Sequence, residues 1–204
     1  MNVAIFDFDH TIYRKNTIIE FTKYIYKKKP FLYFFLFIQA FYGLLFFFRI
    51  ISAKTFKETF LGYINFINKQ VLNNYIIDFW DIEYPKNFRS NLLQKIQSFT
   101  STNVKTIIIS AAPDLLIAHL QKKINVDYIF ATTFELYGNN VKIIGENCRG
   151  PEKIKRLQQN FNVKKITILE AYSDNKDDRA LLNLAQNGFI IRNDKVILYE
   201  PNKK

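Results

Sequence analysis

The chain begins with a short run of apolar, β-prone residues that ends on acid. Residues 3–7 read as a buried strand running into DFDHT. From 16 to 98 the periodicity is mostly helical. It is interrupted only by a dense aromatic segment, FLYFFLFIQAFYGLLFFF at 31–48, in which Gln39 and Gly43 alone break the apolar character. After it the pattern changes. KTIIIS at 105–110 reads as a second buried strand, and Pro113 sits where a helix toward Lys123 would start. YIFAT at 128–132 is a third strand. FELYGNNVKII at 134–144 is a hairpin with its turn near Gly138 to Asn140. A helix opens at Pro151 and runs to about Asn160. KITILEAYSD at 165–174 is a strand and loop. A helix from Asp177 to Gln186 stops at Gly188, and GFIIR and KVILYE close the chain as strands.

Apart from the early helical block, strands alternate with helices. That pattern implies an α/β fold: a Rossmann-like parallel sheet with helices on both faces. The expected core is 1–15 with 100–204, and 16–99 is an inserted, mostly helical unit. In such sheets ligands bind beyond the carboxyl ends of the strands. Asp7, Asp9, Ser110 and Asp174 all fall at such ends.

At 204 residues the chain holds one domain and a large insertion. Hydrophobic residues make up 49%, enough for a sizeable core, and the aromatics are 21 Phe and 12 Tyr against one Trp. Lys and Arg number 29 against 18 acids, a formal charge of +11. Such a surplus either keeps the protein soluble or favours anionic partners: phosphate esters, acidic lipid surfaces or nucleic acid. One cysteine, Cys148, excludes an internal disulfide and fits a reducing compartment. MNVAIFDFDH lacks the basic and apolar regions of a secretory signal.

Two carboxylates at one strand end can divide the labour of phosphate ester hydrolysis. One attacks phosphorus, and the other protonates the leaving oxygen and then takes a proton from water. A carboxylate approaching a phosphate dianion needs a divalent cation, and Mg²⁺ takes oxygen ligands. YSDNKDD at 172–178 supplies more acids, Asp174 and Asp178. Ser110 offers a hydroxyl ahead of a helix start, and Lys153 in GPEKIKRL a positive charge; Lys155 is a weaker candidate. Taken singly, each has a bland alternative as a cap, a strand-end hydroxyl or a surface lysine. His119 reads as structural and Cys148 as a packed thiol.

These four pieces, in this order, resemble the four motifs of the haloacid dehalogenase superfamily. The resemblance spans roughly 1–15 and 100–190. It implies a nucleophile at Asp7 and an acid/base at Asp9. Phosphate ligands would be Thr11, Ser110 and Lys153. Mg²⁺ would be held by Asp7, Asp174 and the Asp9 carbonyl, with Asp178 orienting the metal's surroundings. His10 departs from the glycine many relatives carry, which reads as tolerated variation.

The inserted unit stands where this superfamily carries a substrate-selecting cap. With its basic KKK at 27–29, its apolar run, NCRGPEK at 147–153 and YSDNKDDRALL at 172–182, the chain looks like the bacterial phosphatidylglycerophosphate phosphatases. Phosphoserine phosphatases are the alternative. They carry a substrate-binding Glu where Asn16 stands here, and Glu20 is four residues too late.

Eighteen helical residues would span about 27 Å, close to a bilayer core. Yet the first strand precedes the run and its sheet partners follow it, so a single crossing is excluded. A helix beside the mouth of the active site, seated at the membrane interface, is expected; a buried cap core or dimer interface is the alternative. The expected partners are a phosphorylated substrate, lipid in nature, and an anionic membrane surface, with no nucleic acid and no obligate protein partner. The expected place is the bacterial cytoplasm, peripheral or monotopic at the inner membrane. A phosphate-binding scaffold without catalysis is disfavoured by the intact Asp7 and Asp9.

Overall fold

The computed structural model describes residues 1–137, 140–161 and 165–201. Seven strands form one mixed sheet in the order β4-β3-β2-β1-β5-β6-β7. They are β1 (Asn2–Phe6), β2 (Lys105–Pro113), β3 (Tyr128–Tyr137), β4 (Asn140–Ile144), β5 (Thr167–Ser173), β6 (Asn187–Arg192) and β7 (Lys195–Leu198). The strands from β3 to β6 in that order run parallel, while β4 and β7 pair antiparallel at the edges. The parallel sheet expected from the sequence is thus mixed at its rims, because short hairpins can only return antiparallel. The strand at 128–132 and the first arm of the hairpin are one continuous element, and the expected turn at 138–139 lies outside the described residues.

Period-2 alternation divides β1 between two cores. Val3 and Ile5 join Ile107, Cys148, Leu157 and Leu181 on one face, and Ala4 and Phe6 join the larger core on the other. That larger core continues into the insertion through Phe8, Phe21, Phe79 and Trp80.

The insertion contains α1 (Thr17–Lys28), α2 (Phe35–Phe47), α3 (Ala53–Phe60) and α4 (Lys69–Glu83), then α5 (Ser90–Ser101). The helical unit expected to end at 99 closes with α5, which packs against β2 and so serves the sheet. The helix expected from Pro113 is two short ones, α6 (Asp114–Ile117) and α7 (Leu120–Ile124), and Pro113 itself ends β2. After α8 (Pro151–Asn160), the expected 177–186 helix is a 3-10 turn at Lys176–Asp178 followed by α9 (Arg179–Leu184). Gly188 does not stop that helix. It lies within β6, where a Cβ would come within 2.9 Å of the Leu182 carbonyl. The strand needs glycine so that α9 can pack this closely.

The aromatic run divides into a 3-10 turn, Pro30–Phe34, and α2. Only Phe35 and Gln39 of α2 are buried. Phe37, Phe41, Leu44 and Phe48 share one stripe at helical spacing and are 82%, 58%, 58% and 66% exposed. The opposite stripe faces α3. Gln39 Nε2 donates to the Phe60 carbonyl at 2.8 Å, Phe46 stacks on Phe56 at 4.9 Å, and a Cβ on Gly43 would sit 4.0 Å from the Phe56 ring. The two interruptions of the run are therefore turned inward, while Phe37, Phe41 and Phe48 face out. Pro30–Phe47 has mean hydropathy 1.8, and 17% of it is buried.

Candidate active site

Asp7 follows β1 directly. Its N–H continues the ladder by donating to the Tyr172 carbonyl at 2.8 Å, which fixes the side chain at the carboxyl end of the sheet. The Phe8 N–H donates to Asp7 Oδ1 at 2.8 Å, and Lys153 Nζ lies 2.8 Å from the same oxygen. Lys153, from the first turn of α8, also donates to Asp178 Oδ2 at 2.7 Å. Asp178 accepts in addition from the Ser173 hydroxyl at 2.6 Å. Asp7, Lys153 and Asp178 are 7%, 2% and 1% exposed, so two carboxylates share one ammonium away from water.

That crowding shows in the acidities. Burial pushes the Asp7 carboxyl up to about 7, against the pull of Lys153, and the charges of Asp178 and Asp174 add to the rise. Burial would lower Lys153, but Asp7 and Asp178 outweigh it and hold the ammonium above its usual range. Burial also raises Asp9 to about 6, while the Thr17 hydroxyl and N–H, donating to Asp9 Oδ1 at 2.5 and 3.1 Å, draw it down. Asp9 is thus a carboxyl that holds a proton closer to neutrality than an exposed aspartate does.

A cavity of about 200 Å³ opens over these groups. Asp7, Asp9, Ser110, Lys153 and Asp174 line it, brought from four separate strand or helix ends. Ser110 Oγ accepts from the Ala112 N–H at 3.0 Å, which leaves its own hydrogen to donate. Thr11, expected among the phosphate ligands, is not in the lining. Its hydroxyl is fully buried, accepting from the Asp174 N–H at 3.0 Å and lying 3.3 Å from Asp174 Oδ1. It ties the loop after β5 to the loop after β1. Asp178, expected to orient the metal's surroundings, pairs with Lys153. Lys155 is out of reach on the surface, paired with Glu152 at 3.6 Å, and His119 is exposed away from the cavity.

Three contributors were not legible in the sequence. Arg89 is 6% exposed, and its Nη1 donates to the carbonyls of His10 and Thr11, each at 2.7 Å. It thereby holds the turn in which His10 adopts a φ of +58°, the left-handed region that explains why glycine suits this position. Ser173 braces Asp178. Lys57, from α3, lines the cavity and donates to the Ala111 carbonyl and Asn147 Oδ1, each at 2.7 Å. Arg89 and Lys57 carried no signal, since each is an isolated basic residue in a helical stretch.

The donor set suits a hard cation. Asp7 and Asp174 both face the cavity, and their mutual repulsion raises Asp7. Among the described residues no three His, Cys, Asp or Glu side chains are grouped to hold a metal ion. Asp178 Oδ1 is buried without a hydrogen-bond partner among the described residues. A nearby dication would compensate both features.

The parallel centre of the sheet thus gathers paired carboxylates, a buried lysine and an acidic loop at its strand ends, a donor set suited to hydrolysis. Residues 4–183 match the haloacid dehalogenase-like hydrolase model, and the chain belongs to that family. Among curated proteins it is similar to Protein CicA of Caulobacter vibrioides, 26% identical over 105 residues, which are 50% of this chain and 46% of CicA. It thus aligns with about half of that relative. Among solved structures, a protein of unknown function from Bordetella pertussis Tohama I superposes with a TM-score of 0.79 at 15% identity, covering 92% of this chain and 88% of that one. A phosphoserine phosphohydrolase-like protein from Francisella tularensis superposes with a TM-score of 0.63 at 17% identity, covering 95% and 88%. At these identities the structural likeness speaks to the fold.

Proposed function

We propose that the chain is a Mg²⁺-dependent phosphomonoester hydrolase that works through a phospho-aspartate at Asp7, with a membrane lipid phosphate as its substrate. The observation that carries the chemistry is the placement of Asp7 and Asp9 on one cavity, with Lys153 at 2.8 Å from Asp7. An Asp7 oxygen bonds to phosphorus as the ester P–O bond breaks, and Asp9 gives its proton to the leaving alkoxide. Asp9 then takes a proton from water, the resulting hydroxide bonds to phosphorus, and the Asp7–phosphorus bond breaks to release phosphate. Lys153 and Ser110 hold the phosphoryl oxygens. Mg²⁺, held by Asp7, Asp174 and the Asp9 carbonyl, would offset repulsion between nucleophile and dianion. EDTA is expected to remove activity and Mg²⁺ to restore it. Asp174→Ala should raise the Mg²⁺ concentration for half-maximal rate by about 10-fold or more. An EDTA-resistant rate would exclude the metal.

The lipid assignment is supported by the outward aromatic stripe of α2. Single exposed apolar residues are ordinary, but a contiguous stripe of this size is not. Lys27 and Lys28 end α1 just before it, and Arg49 and Lys54 follow, all exposed, as an anionic headgroup layer would favour. The run itself does not line the cavity; α2 packs on α3, whose Lys57 does. In flotation with liposomes, binding should rise with anionic lipid content and fall when Phe37 and Phe41 both become Ser. Failure to float with any lipid, together with turnover of soluble esters only, would leave the soluble-metabolite phosphatase. That alternative is supported by the names of structural neighbours. Against its phosphoserine form, Asn16 spends its Oδ1 capping α1 through the Ile19 N–H at 3.1 Å, and Glu20 pairs with Lys23 at 2.7 Å outside the cavity.

A further inference from the structure

We propose that Lys57 is a specificity-determining residue: its ammonium receives a second anionic group, a phosphodiester or a carboxylate, on the alcohol side of the phosphomonoester. The assignment rests on the phosphatase reading above and deepens it.

The insertion lends the cavity only Asn16, Ile18 and Lys57. Asn16 spends its Oδ1 on its cap and Ile18 is apolar, so Lys57 is the one cationic side chain this unit brings to the cavity. Among the described residues the Lys and Arg side chains lining the cavity are Lys57, Arg149 and Lys153, and the last two are already neutralised. Lys153 lies between Asp7 and Asp178, and Arg149 pairs with Asp177 at 2.9 Å. Among the described residues Lys57 pairs with no carboxylate; its two acceptors are a carbonyl and an amide oxygen, both neutral. A desolvated ammonium without a counter-charge is costly unless a ligand supplies one. Burial accordingly lowers Lys57 to about 8, and Asp9 is the charge that opposes the fall.

The position is also fixed. Thr132 Oγ1 lies 3.1 Å from both the Ala111 carbonyl and Asn147 Oδ1 and shares its one hydrogen between them, so both acceptors rest against β3. With two N–H groups spent on them, one remains for a ligand. Lys57 reaches the cavity from the inserted helical unit and lines it together with Asp9, whereas the phosphoryl ligands Ser110 and Lys153 come from β2 and α8 of the core, which sets the ammonium toward the alcohol. Neighbouring residues on α3 set this orientation: Phe56 stacks on Phe46 of α2, the Phe60 carbonyl accepts from Gln39 of α2, and Lys54 donates to the Gly145 carbonyl at 3.3 Å.

The test uses the full chain with Mg²⁺ and matched esters. 3-Phosphoglycerate against glycerol 3-phosphate adds a carboxylate. Deacylated glycerophosphoglycerol phosphate against glycerol 3-phosphate adds a phosphodiester. The readout is the ratio of kcat/KM within each pair. The wild type is expected to prefer the second anion in one arm, which identifies its source. Lys57→Met should lower that ratio by about 10-fold or more, chiefly through KM, and Lys57→Arg should keep it within about 3-fold. Lys57→Gln, which retains donors for Ala111 and Asn147, is measured in parallel and should lose the ratio as the methionine variant does, so a folding failure of the latter does not decide the matter. A wild type without preference in either arm, or a ratio unmoved by loss of the ammonium, overturns the role of Lys57. A wild type that cleaves neither these esters nor a phosphatidylglycerol-type phosphomonoester in mixed micelles overturns the phosphatase reading itself.

Discussion

Asp7→Asn is expected to lower turnover by about 10⁴-fold or more while the fold persists. The amide oxygen of Asn can still accept from the Phe8 N–H, now 2.8 Å from Asp7 Oδ1, so the loop after β1 keeps its anchor. What is lost is the anionic oxygen that bonds to phosphorus, and no neighbouring group can take its place. Asp9 is turned toward Thr17, and Asp174 is tied to Thr11. Steady-state rates on the best ester from a Mg²⁺-supported screen, with circular dichroism and a thermal melt as fold controls, decide the outcome. Turnover near that of the wild type would remove Asp7 from the role of nucleophile.

Lys153→Met should damage both stability and rate. The substitution keeps the length of the side chain but leaves Asp7 and Asp178 facing each other in a site where their side chains are 10% and 1% exposed. Removing one partner of a buried ion pair costs about 3–5 kcal/mol, because the remaining charges stay out of water. The rate should fall by about 10²–10³-fold from the loss of a positive group where charge develops. The double variant Lys153→Met with Asp178→Asn separates the two effects. It should recover part of the stability, since one stranded charge is gone, and none of the rate. A singly substituted protein as stable as the wild type would mean that the three groups do not share charge as the geometry requires.

Much of this site is local and therefore visible in the chain. A strand that ends in two acids needs no partner to be recognised, because the pattern of β1 and the spacing of Asp7 and Asp9 belong to one short segment. The same holds for Ser110 after β2, and for Lys153 just inside a helix that starts with Pro151. The basic flanks of the aromatic run and its excess of Phe are compositional and equally plain. Thr11 shows the limit. Its motif marks it as important, yet the hydroxyl turns to Asp174, 163 residues away, and only the pairing of β1 with β5 brings the two loops together.

Sequence by itself determined the α/β class, the inserted helical unit and the acids, hydroxyl and lysine of the site, because those follow from hydrophobic period and from residue type at strand ends. Tertiary structure alone decided which way things face and what they touch. It made the rims of the sheet antiparallel and spent Asp178 on Lys153. It turned Gln39 and Gly43 inward and left Phe37 and Phe41 of α2 pointing out. It also drew Arg89 under the His10 turn and Lys57 over the cavity, from 79 and 54 residues away along the chain from the carbonyls they hold. Contacts at such separations depend on how helices pack across the sheet, and no periodicity within a single segment encodes them.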